Sequence, residues 1–220
     1  MNTRRKVLAG LGVAAFGWAA WHSGSSLQQP AAPLVGVGGT RFPNVPLLTH
    51  EGREVRFYDD LVRGKVVAIN MMYAQCSNSC PATTANLRLV QEMLGERAGR
   101  DVHLYSLTLQ PELDSPERLR EYVERHHIGP GWQFLTGVRA DIEQLRRALG
   151  FYDVDPVVDL NDLSHTGMLR IGNDALDRWT MAPSQTDAAQ ILSTINHVDS
   201  KVVHTAYRPH EAPAEQLAQA

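Results

Sequence analysis

The sequence predicts an α/β domain in which strands and helices alternate before an antiparallel hairpin and a last helix. Two neighbouring segments support this prediction most strongly. Residues 65–72 (KVVAINMM) form a largely apolar run, β-branched in its first half, as is typical of a buried central strand. Pro81 then opens a helical segment, since proline loses no needed hydrogen bond in a first turn. The apolar positions assigned to one face of that helix are Leu87, Val90, Met93 and Leu94.

The other elements are predicted from the spacing of apolar residues, which repeats about every 3.6 residues in a helix and every 2 residues in a strand. Glu51-Gly52 separates two short apolar segments and predicts an N-terminal hairpin. Gly172-Asn173 predicts the turn of a second hairpin. In chain order we predict a hairpin (47–49 and 55–58), strand 65–72, a helix from Pro81, strand 102–109, a helix from Asp114-Ser115-Pro116-Glu117, strand 132–135, helix 141–149, a hairpin (166–171 and 178–181) and helix 188–195. This order is that of a thioredoxin-like fold with an additional N-terminal β-hairpin.

The first 24 residues have the pattern of an export signal or membrane anchor. Arg4, Arg5 and Lys6 precede an uncharged apolar run from Val7 to Trp21. The arginine pair is compatible with twin-arginine export as well as with ordinary export. We therefore expect the folded domain on the periplasmic side of the inner membrane, with the chain either anchored or exported.

The rest of the chain divides into a linker, one domain and a tail. Residues 25–42 contain several glycines and prolines and predict a linker. The thioredoxin-like domain is predicted over 43–197. Residues 198–220, rich in Ala, Pro, Glu and Gln, predict a flexible tail. The net charge of −3 leaves no basic stripe, which excludes nucleic acid as a partner.

The only two cysteines, Cys76 and Cys80, lie between the predicted central strand and the helix that begins at Pro81. A bridge across so short a loop removes little entropy from the unfolded chain, so stabilisation is a poor reason for the pair. A thiolate near a helix N-terminus is favoured and can attack sulfur or bind a metal. Three intervening residues allow either a disulfide or the binding of one soft ion. A dormant disulfide or a simple core role stays open.

Four segments resemble the SCO/SenC family. Tyr73-Ala74-Gln75-Cys76-Ser77-Asn78-Ser79-Cys80-Pro81 is similar to its copper-binding loop. Residues 107–117 and 129–137 resemble two further family segments, and His165-Thr166-Gly167 stands where the family carries its histidine ligand. The resemblance spans roughly residues 43–195. It implies a thioredoxin fold, a copper site formed by Cys76, Cys80 and His165, and delivery of copper to the binuclear site of cytochrome c oxidase.

Position also favours His165 as the third ligand. It precedes a predicted strand, where thioredoxin-fold oxidoreductases place a cis-proline that faces the cysteines. Two thiolates and one imidazole suit copper, with zinc as the competing metal. Asp114 either caps the helix that follows it or influences the copper site or the docking of a partner.

Two functions are consistent with these residues. In the first, the protein is a metallochaperone that passes copper to the copper-receiving subunit of a respiratory oxidase or a related copper enzyme. In the second, it is a thiol-disulfide oxidoreductase in which Cys76 and Cys80 reduce the cysteines of that copper site. A histidine in place of the cis-proline favours the first, so we lean towards a protein that is not an enzyme.

Overall fold

The structure, a computed structural model, describes residues 41–75, 79–161, 164 and 167–199. The strands are β1 Pro46–Thr49, β2 Glu54–Arg56, β3 Val66–Met72, β4 Val102–Thr108, β5 Trp132–Thr136, β6 Met168–Asn173 and β7 Arg178–Pro183. The α-helices are α1 Ser79–Leu94, α2 Pro116–Arg125, α3 Arg139–Ala148, α4 Pro156–Asp159 and α5 Ala188–Val198. A π-helical turn spans Phe57–Val62, and 3-10 turns span Gly95–Arg97 and Asp174–Leu176.

The seven described strands form one mixed sheet in the order β2-β1-β5-β4-β3-β6-β7. The central strands β3, β4 and β5 run parallel, and β6 pairs antiparallel with β3. Every residue of β3 is buried because both faces of the sheet are covered. Alternate residues of β3 therefore contribute to two apolar cores, one containing residues of α1, α2 and α5 and the other containing residues of α3 and the π-helical turn.

The predicted strands and helices are confirmed, with differences in detail. Leu87, Val90 and Leu94 of α1 are buried, but the prediction for Met93 is wrong, since this side chain is 48% exposed. Six residues after Leu87 the helix has turned away from the core-facing side. The turn predicted at Gly172-Asn173 is also wrong, because both residues belong to β6 and the turn is Asp174–Leu176.

Two helical segments were missed by the sequence analysis, namely the π-helical turn Phe57–Val62 and the short α4. Residues 55–58 were predicted as the second strand of the hairpin around Glu51-Gly52, but the strand ends at Arg56. Asn44, distant in sequence, accepts the backbone N–H groups of Tyr58 and Asp59 at 3.1 Å each. These hydrogen bonds hold the chain in a turn, and this turn buries Phe57 in the core.

Residues next to both ends of the predicted domain are buried in its core. Phe42, assigned to the linker, is fully buried, and its ring contacts those of Phe57 and Trp179 at centroid distances of 6.3 and 4.7 Å. At the other end, α5 continues to Val198, which is also buried. The predicted signal or anchor, most of the predicted linker and nearly all of the predicted tail lie outside the described residues. Within the described ranges, no helix has the length and apolar character needed to cross a membrane.

Candidate metal site

Described residues that flank the predicted ligands lie at the edge of the sheet at which β3 and β4 end and β6 begins. Met72 at the end of β3 pairs with Thr108 at the end of β4, and the N–H of Leu109 donates to the carbonyl of Met72 at 2.8 Å. Because β6 is antiparallel to β3, with Leu169 opposite Asn70, it starts at the edge where β3 stops. The chain that leaves β3 and the chain that enters β6 therefore meet at this edge.

Cys80 lies in the first turn of α1 at this same edge. Its side chain is buried, 1% exposed, in the apolar core that also contains Met72 and Leu169. The positive end of the helix dipole favours an anion at this position, and a thiolate is such an anion. Cys76 and His165, the other two predicted ligands, lie outside the described residues.

A buried hydrogen-bond chain joins the start of β6 to the first turns of α1. The backbone N–H of Ser184 donates to the carbonyl of Gly167 at 2.9 Å, and the hydroxyls of Ser184 and Thr83 lie 2.8 Å apart. Asn86 adds a bond from its side-chain amide to the carbonyl of Ser184 at 2.8 Å. The backbone two residues after His165 is thus held against the helical turn that carries Cys80.

Asp114 does not cap the following helix, so that reading of it is wrong. The N-cap of α2 is Ser115, whose hydroxyl accepts the N–H of Arg118 at 3.3 Å. Asp114 is instead buried, 1% exposed, and its Oδ2 accepts from the Thr108 hydroxyl at 2.5 Å and from the Ala74 N–H at 3.0 Å. The local sequence favoured a helix cap, but the two donors are distant in the chain or fold: Thr108 ends β4, and Ala74 lies two residues after the end of β3.

The contacts of Asp114 fix the chain that approaches Cys76. Ala74 lies two residues before Cys76, and Thr108 ends the neighbouring strand β4. The carboxylate therefore ties the turn after β3 to the end of β4. Its other oxygen, Oδ1, is buried and has no hydrogen-bond partner among the described residues. A buried carboxylate oxygen of this kind remains a strong acceptor beside the cysteine loop.

A buried ion pair holds the segment that leads to His165. The Arg146 guanidinium donates to both oxygens of Asp159, at 2.7 and 2.9 Å, and to the carbonyl of Phe151 at 2.7 Å. Both side chains of the pair are less than a tenth exposed. The hydrogen bond from Arg146 holds the pKa of Asp159 well below its usual range. Asp159 lies six residues before His165. Because Arg146 belongs to α3, this helix anchors the segment that leads to His165.

Neither this anchor nor the Thr83–Ser184 contact was predicted from the sequence. One signal was available for the second: Thr83 lies four residues before Leu87 and so falls on the core-facing side of α1. A polar side chain there requires a buried partner. Within the described ranges, no group of three or more His, Cys, Asp and Glu residues could hold a metal ion.

Comparison with known sequences identifies one family. A model described as SCO1/SenC matches residues 44–199. The SCO1 protein homolog of Bacillus subtilis (strain 168) is 28% identical over 85 residues, which are 38% of this chain and 44% of that protein. The aligned residues therefore cover less than half of the length of this relative.

Solved structures share the fold. Yeast Sco1, crystallised with copper bound, superposes with a TM-score of 0.55 at 21% identity, covering 74% of this chain and 94% of that one. BsSco is described as a member of the Sco family of cytochrome c oxidase assembly proteins, with a disulfide switch. It gives a TM-score of 0.58 at 19% identity, covering 72% and 94%. The predicted thioredoxin-like fold with its additional hairpin is confirmed.

Proposed function

The chain belongs to the SCO1/SenC family, and from that premise we propose that it is a metallochaperone that delivers copper to a respiratory copper enzyme. The proposed receiver is the copper-receiving subunit of cytochrome c oxidase, with its binuclear copper site. Two facts about relatives support this: yeast Sco1 was crystallised with copper, and BsSco is described as a cytochrome c oxidase assembly protein. Copper is the cargo here, held until a partner takes it.

The proposed ligands are Cys76, Cys80 and His165. The observation that carries this assignment is the buried Cys80 at the first turn of α1, held through Thr83 and Ser184 against the start of β6. Two thiolates and an imidazole form a soft donor set suited to copper. Both thiols must be reduced and deprotonated to bind, so the disulfide form should not bind copper.

Asp114 is proposed as a positioning residue for this site. Its bond to the Ala74 N–H orients the backbone just before Cys76, and its bond to Thr108 fixes the carboxylate itself. The residue acts through the backbone of the cysteine loop rather than as a ligand. Its removal should therefore weaken copper binding without changing the number of copper ions bound.

The receiving partner is proposed to dock beside the segment that precedes His165. Val154, Val157 and Leu160 of that segment are 91, 79 and 86% exposed. They lie within the eleven residues before His165, and the Arg146–Asp159 pair holds the segment in place. Burial of these side chains against an apolar surface of the oxidase subunit would favour docking close to the donor ligands.

We also propose that the domain operates outside the cytoplasm, on the periplasmic side of the inner membrane. The basic and apolar N-terminal segment supports export or anchoring. A phosphatase fused after Gly39 should be active, and a reporter that works only in the cytoplasm should be inactive there. The reverse pattern would contradict copper delivery to a periplasm-facing site.

A thiol-disulfide oxidoreductase is the second candidate, because the same two cysteines could exchange a disulfide with the cysteines of a copper site. The disulfide switch described for BsSco favours it. The two candidates differ in what they need from His165: copper binding requires the imidazole, whereas thiol exchange does not. A reduction potential close to those of periplasmic reductants, without specific copper binding, would support the enzyme.

The test is a copper titration of the reduced full-length protein. We expect one tightly bound copper ion and a thiolate-to-copper absorption band for the Cu(II) form. Cys80→Ser should abolish tight binding, and His165→Ala should weaken it and alter the band. His127→Asn is the matched control, because His127 is exposed and has a left-handed backbone that asparagine tolerates. An unchanged band and affinity in His165→Ala would refute the ligand assignment.

A further inference from the structure

A concave site lies at the edge of the sheet opposite to the one at which β3 ends. This cleft has a volume of about 750 Å³, within the range of small-molecule sites. It opens where β3, β4 and β5 begin, about 20 Å of strand away from the edge at which β3 ends. The residues that matter for its chemistry are Arg53, Lys65, Arg100, His103, Tyr105 and Gln133.

The cleft exists because polar residues occupy the starts of the strands on one face of the sheet. His103 and Tyr105 lie two residues apart on β4, and Tyr105 pairs with Gln133 of β5. Nearer the other edge, Leu107 and Leu135 on the same face belong to the apolar core that includes residues of α3. The imidazole and the phenol ring lie nearly parallel, with centroids 6.2 Å apart, and form one wall.

Two cations line this cleft without a carboxylate partner. Among the described residues, neither Arg53 nor Lys65 has an acidic side chain within ion-pair distance, and the Lys65 ammonium donates to the backbone carbonyl of Asp60. The Asp60 carboxylate accepts the backbone N–H of Arg56 at 2.6 Å. The pKa of Lys65 is lowered by burial and by the nearby charge of Arg53, although Asp60 opposes the shift. Two neighbouring positive charges repel each other, so an anion bound between them is favoured.

The other charged groups do not cancel this positive charge. Arg100 is already paired with Asp101 at 3.1 Å and lies 3.6 Å from Glu96. Glu54 and Asp60 also line the cleft. Like Arg53 they are exposed, so water screens these three charges, whereas the partly buried Lys65 is screened less. The neighbouring imidazole is neutral, because burial, aided by Lys65, lowers the pKa of His103 to about 4.

The cleft also contains neutral groups that need a hydrogen-bonding ligand. Gln133 Oε1 is buried and has no hydrogen-bond partner among the residues that the structure describes. A buried acceptor without a donor costs about 1–3 kcal/mol, so a hydroxyl placed there would be stabilised. Burial raises the pKa of the Tyr105 phenol, which therefore stays protonated and can donate.

We propose that this cleft binds a hydroxylated phosphate ester. Arg53 and Lys65 contact the phosphate oxygens, and a hydroxyl of the ligand donates to Gln133 Oε1. Guanidinium and ammonium groups both form charge-assisted hydrogen bonds with phosphate. Glycerophosphate has this chemistry, and it occurs both as a free metabolite and as the headgroup of phosphatidylglycerol. The site is separate from the copper ligands, so its test does not depend on the proposed function.

The test is calorimetric titration of the full-length protein, in a neutral detergent, with three probes. Inorganic phosphate tests the cation pair, and glycerol 3-phosphate adds the hydroxyls. Glycerophosphoglycerol, the deacylated headgroup of phosphatidylglycerol, represents the lipid source. We expect glycerol 3-phosphate or glycerophosphoglycerol to bind more tightly than inorganic phosphate. Preference for the monoester would assign a soluble ligand, and preference for the diester would assign the lipid headgroup.

Variants separate this site from general charge attraction. Arg53→Gln and Lys65→Gln should each weaken binding by roughly tenfold, the scale of one charge-assisted hydrogen bond. Arg56→Gln removes an exposed cation that lies three residues after Arg53 and outside the cleft, and it should change binding less than twofold. Gln133→Met should reduce the affinity for the hydroxylated esters to that for inorganic phosphate. Absence of binding, or equal binding by Arg53→Gln and Arg56→Gln, would overturn the proposal.

Discussion

Replacement of Arg146 by methionine tests whether α3 anchors the segment that leads to His165. Methionine fills similar space but removes the donors to Asp159, Phe151 and Glu143. Removal of one partner from a buried ion pair costs about 3–5 kcal/mol. Arg147, at 2.9 Å from Asp159, and the N–H of Asp153 remain as donors, so we expect the lower end, about 3 kcal/mol.

Thermal unfolding followed by circular dichroism measures this cost. For a domain of this size, about 3 kcal/mol corresponds to a fall in Tm of roughly 6–12 °C. Arg147→Met is the matched control: Arg147 is 45% exposed and contacts the same carboxylate, so its loss should cost less than about 1 kcal/mol. If the two variants unfold within 2 °C of each other, the anchoring role of Arg146 is refuted.

The same variant has a defined pH dependence. The folded-state pKa of Asp159 is lowered, so the pair stabilises the protein above the unfolded-state pKa of about 4. This contribution is lost as the pH falls towards the folded-state pKa. The difference in unfolding free energy between the natural protein and Arg146→Met should therefore be constant from pH 5 to 7 and shrink below about pH 4. A difference that grows on acidification would contradict the assignment.

Three further changes test other parts of the account. Asp114→Ala should destabilise the protein by about 2–3 kcal/mol in urea unfolding and weaken copper binding, because the Thr108 hydroxyl and Ala74 N–H lose their acceptor. Asp114→Asn, which keeps an acceptor oxygen, should recover part of both losses, and no recovery would contradict the positioning role. Thr83→Val should cost about 1 kcal/mol by unpairing the Ser184 hydroxyl, and an unchanged stability would remove that link. Leu160→Asp should slow copper transfer to the purified oxidase subunit without changing copper stoichiometry, and equal slowing by Leu89→Asp on α1 would refute docking at this segment.

Local patterns in the sequence were sufficient for the order of strands and helices. The apolar run of β3 predicts burial on both faces, and the structure buries all seven of its residues. The pattern failed where a distant residue decides the backbone, as Asn44 does for the turn that follows β2. Periodicity alone cannot anticipate a hydrogen bond between residues fourteen positions apart.

In the candidate site, too, local patterns predicted some features, while contacts between distant residues were not predicted. Cys80 was identified from its spacing to Cys76 and its place before Pro81. The helix begins at Ser79, two residues earlier than predicted, so Cys80 lies in the first turn of α1 and not just before the helix. The contacts of Asp114 were not predictable, since Ala74 is 40 residues away in sequence. They depend on the register between β3 and β4, which sequence patterns do not specify.

X-ray absorption at the copper edge of the reduced, copper-loaded protein tests the central claim most directly. The account predicts two sulfur scatterers and one imidazole at the copper, with the imidazole signal lost in His165→Ala and the sulfur signal retained. Cys80→Ser, which should no longer bind copper tightly, should not show the two-sulfur site. A copper ion bound only by nitrogen and oxygen, or an imidazole signal that persists in His165→Ala, would contradict a site formed by Cys76, Cys80 and His165.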